Sequence, residues 1–125
     1  MGVVLVVEED DLARVRGASI LEHAGYKVLL AAGADQALVV LDGRLPIDLL
    51  FTEINMRSDV RGGLVLARRA VTLQPTLPVL YTTGRGVSVE MRRLFVSRFA
   101  FLGKPYRAKD LKQAVANVLG PLQII

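Results

Sequence analysis

Ten residues, Asp48-Leu49-Leu50-Phe51-Thr52-Glu53-Ile54-Asn55-Met56-Arg57, constrain the chain more than any others. Leu49 to Thr52 form a short apolar, β-favouring run that leads straight into an acid. A run of this length reads as a strand buried on both faces, as in a parallel sheet. Glu53 then stands where that strand ends. In open α/β sheets, ligands and chemistry gather at the carboxyl ends of the strands. A carboxylate buried there without a partner is costly, so what else reaches the same edge decides what Glu53 can do.

The flanking sequence repeats one pattern. Val3 to Val7 is a β-branched run, hence a first strand, and it ends in four acids, Glu8-Glu9-Asp10-Asp11. Asp10 or Asp11 can cap the helix that follows. In that helix Ala13, Gly17, Ile20, Leu21 and Ala24 fall at helical spacing, and Gly25 stops it. Lys27 to Ala31 reads as a second strand and Ala34 to Leu41 as a short helix. After the central strand, Arg57 to Gly63 reads as a loop and Leu64 to Leu73 as a helix closed by Gln74-Pro75. Val79 to Thr82 is the fourth strand. Ser88, with Met91 three residues on, can open a helix. Phe99 to Leu102 is the fifth strand, and a helix from about Ala108 to Leu119 ends at Gly120-Pro121. Strand and helix therefore alternate five times, with helices expected at roughly 8–14 residues. The pattern predicts an α/β fold, a doubly wound parallel sheet with helices on both faces. One domain over residues 1–120 is expected, followed by an apolar tail over residues 121–125.

The length of 125 residues suits one domain with its own core. No apolar run reaches the ~18 residues of a membrane span. The N-terminus lacks the basic segment and cleavage site of a signal peptide, and cysteine is absent. A cytoplasmic location is the expectation. Residues 1–56 carry four basic and nine acidic side chains, whereas residues 57–125 carry twelve basic and three acidic. That asymmetry suits either a charged partner or a solvated basic face.

Three other strand ends carry polar groups: Glu8-Glu9 after the first, Thr82-Thr83 at the fourth and Lys104 after the fifth. If these strands are neighbours, the rim joins acids, a hydroxyl and a lysine. Carboxylates in such a set suit Mg²⁺, and a lysine with a hydroxyl suits a phosphoryl group. Each feature alone is weak; their convergence is specific.

The stretches Val6-Val7-Glu8-Glu9, Asp48 to Met56, Val79-Leu80-Tyr81-Thr82-Thr83-Gly84 and Phe101-Leu102-Gly103-Lys104-Pro105 together resemble the receiver domain of bacterial response regulators, over essentially the whole chain. The resemblance implies a flavodoxin-like (βα)5 fold with strand order 2-1-3-4-5. It implies a phosphoryl group passed from a histidine kinase to an acid after the third strand, with Mg²⁺ held by an acid pair. Carried over, the phosphoacceptor position is Glu53 and the metal positions are Glu8, Glu9 and Glu53. Thr83 and Lys104 match the residues that contact the phosphoryl group. Phe101 matches an aromatic that changes rotamer with activation.

The sequence departs from that pattern where it matters. The family's acceptor is Asp, and here it is Glu53. Glu9 replaces a common Asp, Arg57 replaces a common Pro, and the loop from Ser58 to Gly63 is about one residue longer. The extra methylene carries a carboxylate about 1.5 Å further, and a displacement of about 1 Å can cost a hundredfold in transfer. A weak or absent Mg²⁺ site is therefore expected. Three outcomes stand open: a working switch, a fixed active-like state in which Glu53 imitates the phosphoryl group, and a fixed neutral scaffold with Glu53 paired to Lys104.

The leading expectation is a stand-alone atypical receiver, not an enzyme, that binds a signalling protein: a histidine kinase, a phosphotransfer protein or an output protein. It would be a monomer or weak dimer without membrane contact. Its partner face would use Arg92, Arg93, Arg98, Arg107, Lys109 and Lys112, on or beside the fourth helix, fifth strand and fifth helix. Two alternatives come from other classes. A basic nucleic-acid-binding module finds no recognisable motif, and a small Mg²⁺-dependent phosphotransferase or phosphatase finds no glycine-rich phosphate loop. Gly84-Arg85-Gly86 lacks the third glycine of a dinucleotide fingerprint, and His23 reads as an exposed helix residue.

Overall fold

A computed structural model describes residues 2–120, so the apolar stretch 121–125 lies outside the described residues. Ten elements follow one another: β1 (Val3–Val7), α1 (Asp11–His23), β2 (Lys27–Ala31), α2 (Ala34–Leu41), β3 (Leu49–Glu53), α3 (Gly62–Leu73), β4 (Val79–Thr83), α4 (Val89–Arg93), β5 (Phe99–Gly103) and α5 (Ala108–Leu119). The strands form one parallel sheet in the order β2-β1-β3-β4-β5. This is the flavodoxin-like arrangement expected from the sequence.

Strand alternation divides the core into two layers. Leu5, Val7, Leu50, Val79 and Tyr81 face α2, α3 and α4, where they meet Leu41, Leu64 and Ala67. Val4, Val6, Leu49, Phe51 and Leu80 face α1 and α5, meeting Leu21, Leu111 and Val115. The central β3 and its neighbour β4 are buried along their whole length, which is why they read as unbroken apolar runs.

The helix starts and stops follow local chemistry. Asp10 caps α1, its carboxylate accepting from the Ala13 N–H at 2.8 Å. Gly25 follows with φ of 100°, a conformation that favours glycine. Ser88 caps α4 by accepting from the Met91 N–H at 3.1 Å.

Two expectations need correction. The fourth helix has five residues, well short of eight. After Leu94 the chain turns inward: Phe95 and Val96 are buried, and the Val96 N–H donates to the Tyr81 hydroxyl at 3.0 Å. That bond to a fully buried phenol draws the backbone into the core and ends the helix. The third helix begins at Gly62, inside the stretch that reads as loop. Its glycines serve close packing: a Cβ on Gly63 would lie 1.9 Å from the Glu53 carbonyl oxygen, and its N–H donates to the Ile54 carbonyl at 2.8 Å.

Candidate functional site

The parallel register brings the ends of β1, β3, β4 and β5 to one edge of the sheet. Glu8 follows β1, Glu53 ends β3, and Lys104 follows β5. Glu8 and Glu53 are both buried, each 8% exposed. The Lys104 ammonium lies between them. It donates to Glu8 Oε1 and stands 3.1 Å from Glu53 Oε2. That Glu53 oxygen is ion-paired but has no hydrogen-bond partner. Burial would by itself lower the lysine pKa, but close contact with the two glutamates and their charges outweighs it and holds Lys104 above its ordinary value. At Glu53 burial prevails over the pull of Lys104, and the carboxyl is pushed above its ordinary range. The two shifts are compatible, because one ammonium serves two carboxylates while each carboxylate is desolvated separately.

Thr83 reaches the same edge, but its hydroxyl is committed elsewhere. Asn55 Nδ2 donates to the Val60 carbonyl at 2.8 Å, which leaves Asn55 Oδ1 as an acceptor. The Thr83 hydroxyl donates its single proton there and accepts the Arg85 N–H at 3.1 Å. The residue across from Glu53 in the sheet register is Thr82. Its hydroxyl is buried without a partner among the described residues and lines a void of about 10 Å³ with Glu8, Lys104 and Tyr106.

The family profile of the response regulator receiver domain matches residues 4–116. The chain belongs to this family. Among relatives, the response regulator receiver protein CpdR of Brucella abortus is 31% identical over 117 residues, covering 93% of this chain and 95% of CpdR. The sensor kinase CckA of the same organism is 28% identical over 120 residues, covering 93% of this chain and 12% of the kinase. The chain likewise spans less than half the length of two further regulators that it matches. The chemotaxis protein CheY4 of Vibrio cholerae superposes with a TM-score of 0.84 at 24% identity, covering 94% of this chain and 98% of CheY4, a likeness of fold alone.

Within this receiver domain the remaining candidate residues take distinct places. Glu9 is half-buried, its carboxylate accepting the Arg57 N–H. These acids are engaged by other groups of the protein rather than left open to Mg²⁺. Lys104 already occupies Glu8 and Glu53, Glu9 is engaged by the backbone, and among the described residues no group of three acids or histidines is placed to hold a metal. No step is therefore derived through the ion. Phe101 points outward, 38% exposed, with its ring 6.4 Å from that of Phe95.

The six cations expected at a partner face are all exposed but do not form one set. Arg92 lies over the Phe99 ring at 5.5 Å, and Arg93, Lys109 and Lys112 lie on α4 and α5. Arg107 pairs with Asp110 at 3.2 Å. Arg98 precedes β5, at the opposite end of the strand from Lys104, and donates to the Thr76 carbonyl at 2.6 Å.

Sequence reasoning missed two positioning residues. Asn55 ties Thr83 to the loop after β3. Arg14, on α1, donates to the carbonyls of Glu8 at 2.8 Å and Glu9 at 3.4 Å and so fixes the acidic loop. Arg14 stands one turn into the helix that the acids begin, a place from which it can reach back. Nothing in the sequence marks Asn55 beyond its position two residues after Glu53.

Proposed function

We propose that this receiver domain acts as a fixed binding module for a signalling protein and takes no phosphoryl group at Glu53. The observation that carries this reading is the Lys104 ammonium seated between Glu8 and Glu53. The acid at the acceptor position already has the countercharge that a phosphoryl group would need. The longer glutamate arm supports the same conclusion, since transfer depends on in-line placement.

Of the two fixed states, the neutral scaffold has the better support. A carboxylate imitating a phosphoryl group should draw the Thr83 hydroxyl towards itself. Thr83 donates instead to Asn55. Mg²⁺ affinity should be weak for the reasons of fit given above. The partner would be a histidine kinase, a phosphotransfer protein or an output protein, met through α4, β5 and α5, which expose Arg92, Arg93, Lys109 and Lys112 together with Phe99 and Phe101. Support for a stand-alone module comes from CpdR, 95% of whose length the chain matches.

Intact-mass measurement after treatment with acetyl phosphate and Mg²⁺ tests the reading. The wild-type chain should gain no phosphoryl group, whereas Glu53→Asp, alone or with Glu9→Asp, should begin to label. A near-stoichiometric adduct mapped to Glu53 overturns the proposal.

A further inference from the structure

Between residues 57 and 98 the chain carries eight arginines, no lysine and two acids. Among the described residues none of these arginines belongs to an ion pair. On α3 and its cap their arrangement is ordered. The exposed positions are Arg61, Val65, Arg68, Arg69, Thr72 and Leu73, while Leu64, Leu66, Ala67 and Ala70 face the core. Steps of four, three and four from Arg61 through Val65 and Arg68 to Thr72 set one stripe along the outer face.

Folding alone does not favour this stripe. Arg61 occupies the N-cap without making a side-chain cap bond, and the first turn has no acid. A cation there meets the positive end of the helix dipole, and a Ser or Asp in its place would contribute about 1 kcal/mol. At the other end the stripe meets a groove of about 450 Å³ between α2 and α3, floored by Leu38, Val39 and Leu73, with Arg69 and Asp42 also lining it. Val39 is 75% exposed and Val65 51%. Scattered apolar residues on a surface are ordinary, but these lie among unpaired arginines and beside a groove.

We propose that the outer face of α3, with the adjoining groove, docks an acidic amphipathic segment of a partner protein. Guanidinium forks match carboxylates two hydrogen bonds at a time, so Arg61 and Arg69 take the acids of the segment. The groove takes one large apolar side chain, and Asp42 repels acids from its own wall and sets the direction of docking. A nucleic acid would share the preference for charge but has no use for Val39, Val65 or an apolar floor. This surface is separate from the α4–β5–α5 face and does not depend on whether Glu53 accepts a phosphoryl group.

The test is an NMR titration of the full chain with three probes: a short helical peptide bearing glutamates and one leucine, polyglutamate of the same length, and a duplex DNA oligonucleotide. The mixed peptide should shift the amides of Arg61 to Leu73 and of Leu38 to Asp42, and should bind more tightly than polyglutamate. Arg61→Glu with Arg69→Glu should weaken it about tenfold or more, and Val39→Ser should weaken it several-fold. Arg61→Glu alone should raise the melting temperature, because the new acid suits the helix N-terminus; loss of binding is then not unfolding. If the double reversal fails to fold, Arg61→Gln with Arg69→Gln serves, with the same loss expected. Shifts confined to other elements overturn the proposal. So do equal affinity for polyglutamate, and tighter binding of the DNA.

Discussion

At Glu53, burial and Lys104 pull the same proton in opposite directions, and burial prevails. The folded protein therefore holds that proton more tightly than the unfolded chain does. A group whose carboxyl pKa is raised on folding favours the folded state fully below its ordinary value of 4.5, and that contribution is lost as the pH rises through the folded pKa. Glu53→Gln keeps an uncharged side chain of the same length at every pH, and Lys104 keeps Glu8. The variant should melt above the wild type at pH 7, with the gap closing as the pH falls towards about 4.5. Thermal melts of both proteins across that range check this; a gap that widens in acid contradicts it. The Glu53–Lys104 meeting was legible from the sequence, since both residues directly end or follow apolar runs. The Thr83–Asn55 bond was not. Which face a hydroxyl takes depends on pleat and register, and these set Thr82 across from Glu53.

Among the elements, the strands were the most legible, because each five-residue strand is built on a short apolar run set between punctuating residues. The helices divided by cause. The α1 and α4 starts could be read from Asp10 and Ser88, whose capping side chains are local. The early start of α3 could not, because Gly62-Gly63 looks like loop until the neighbouring backbone is known. A methyl group on Gly63 would collide with the Glu53 carbonyl, which belongs to rigid sheet. Gly63→Ala should therefore force α3 away from β3 and cost about 3 kcal/mol. The Gly86→Ala control meets nothing within 4 Å and should be nearly neutral. Denaturant midpoints measure both, and equal midpoints would mean that α3 can shift freely. Because the collision falls on the backbone of Glu53, the same substitution should also disturb the ion pair with Lys104.

Across the whole molecule, the fold turns a sequence asymmetry into a spatial one. The arginines of residues 57–98 lie on or beside α3 and α4, which cover the same face of the sheet. Like charges gathered without partners repel, and salt screens them. The melting temperature should rise when NaCl is increased from about 10 mM to about 150 mM, since the buried Lys104 pair is screened far less than the exposed arginines. A melting temperature that falls over this range would show that attractive surface pairs dominate. The choice of arginine has one more consequence. A guanidinium stays protonated at any pH a cell reaches, and enzymes that acylate lysine amines find none to modify between residues 57 and 98. The charge on this side of the receiver is therefore permanent. Any control over an acidic segment seated on α3 belongs to the segment itself, where adding a phosphate to a serine would tighten the contact and removing it would release it.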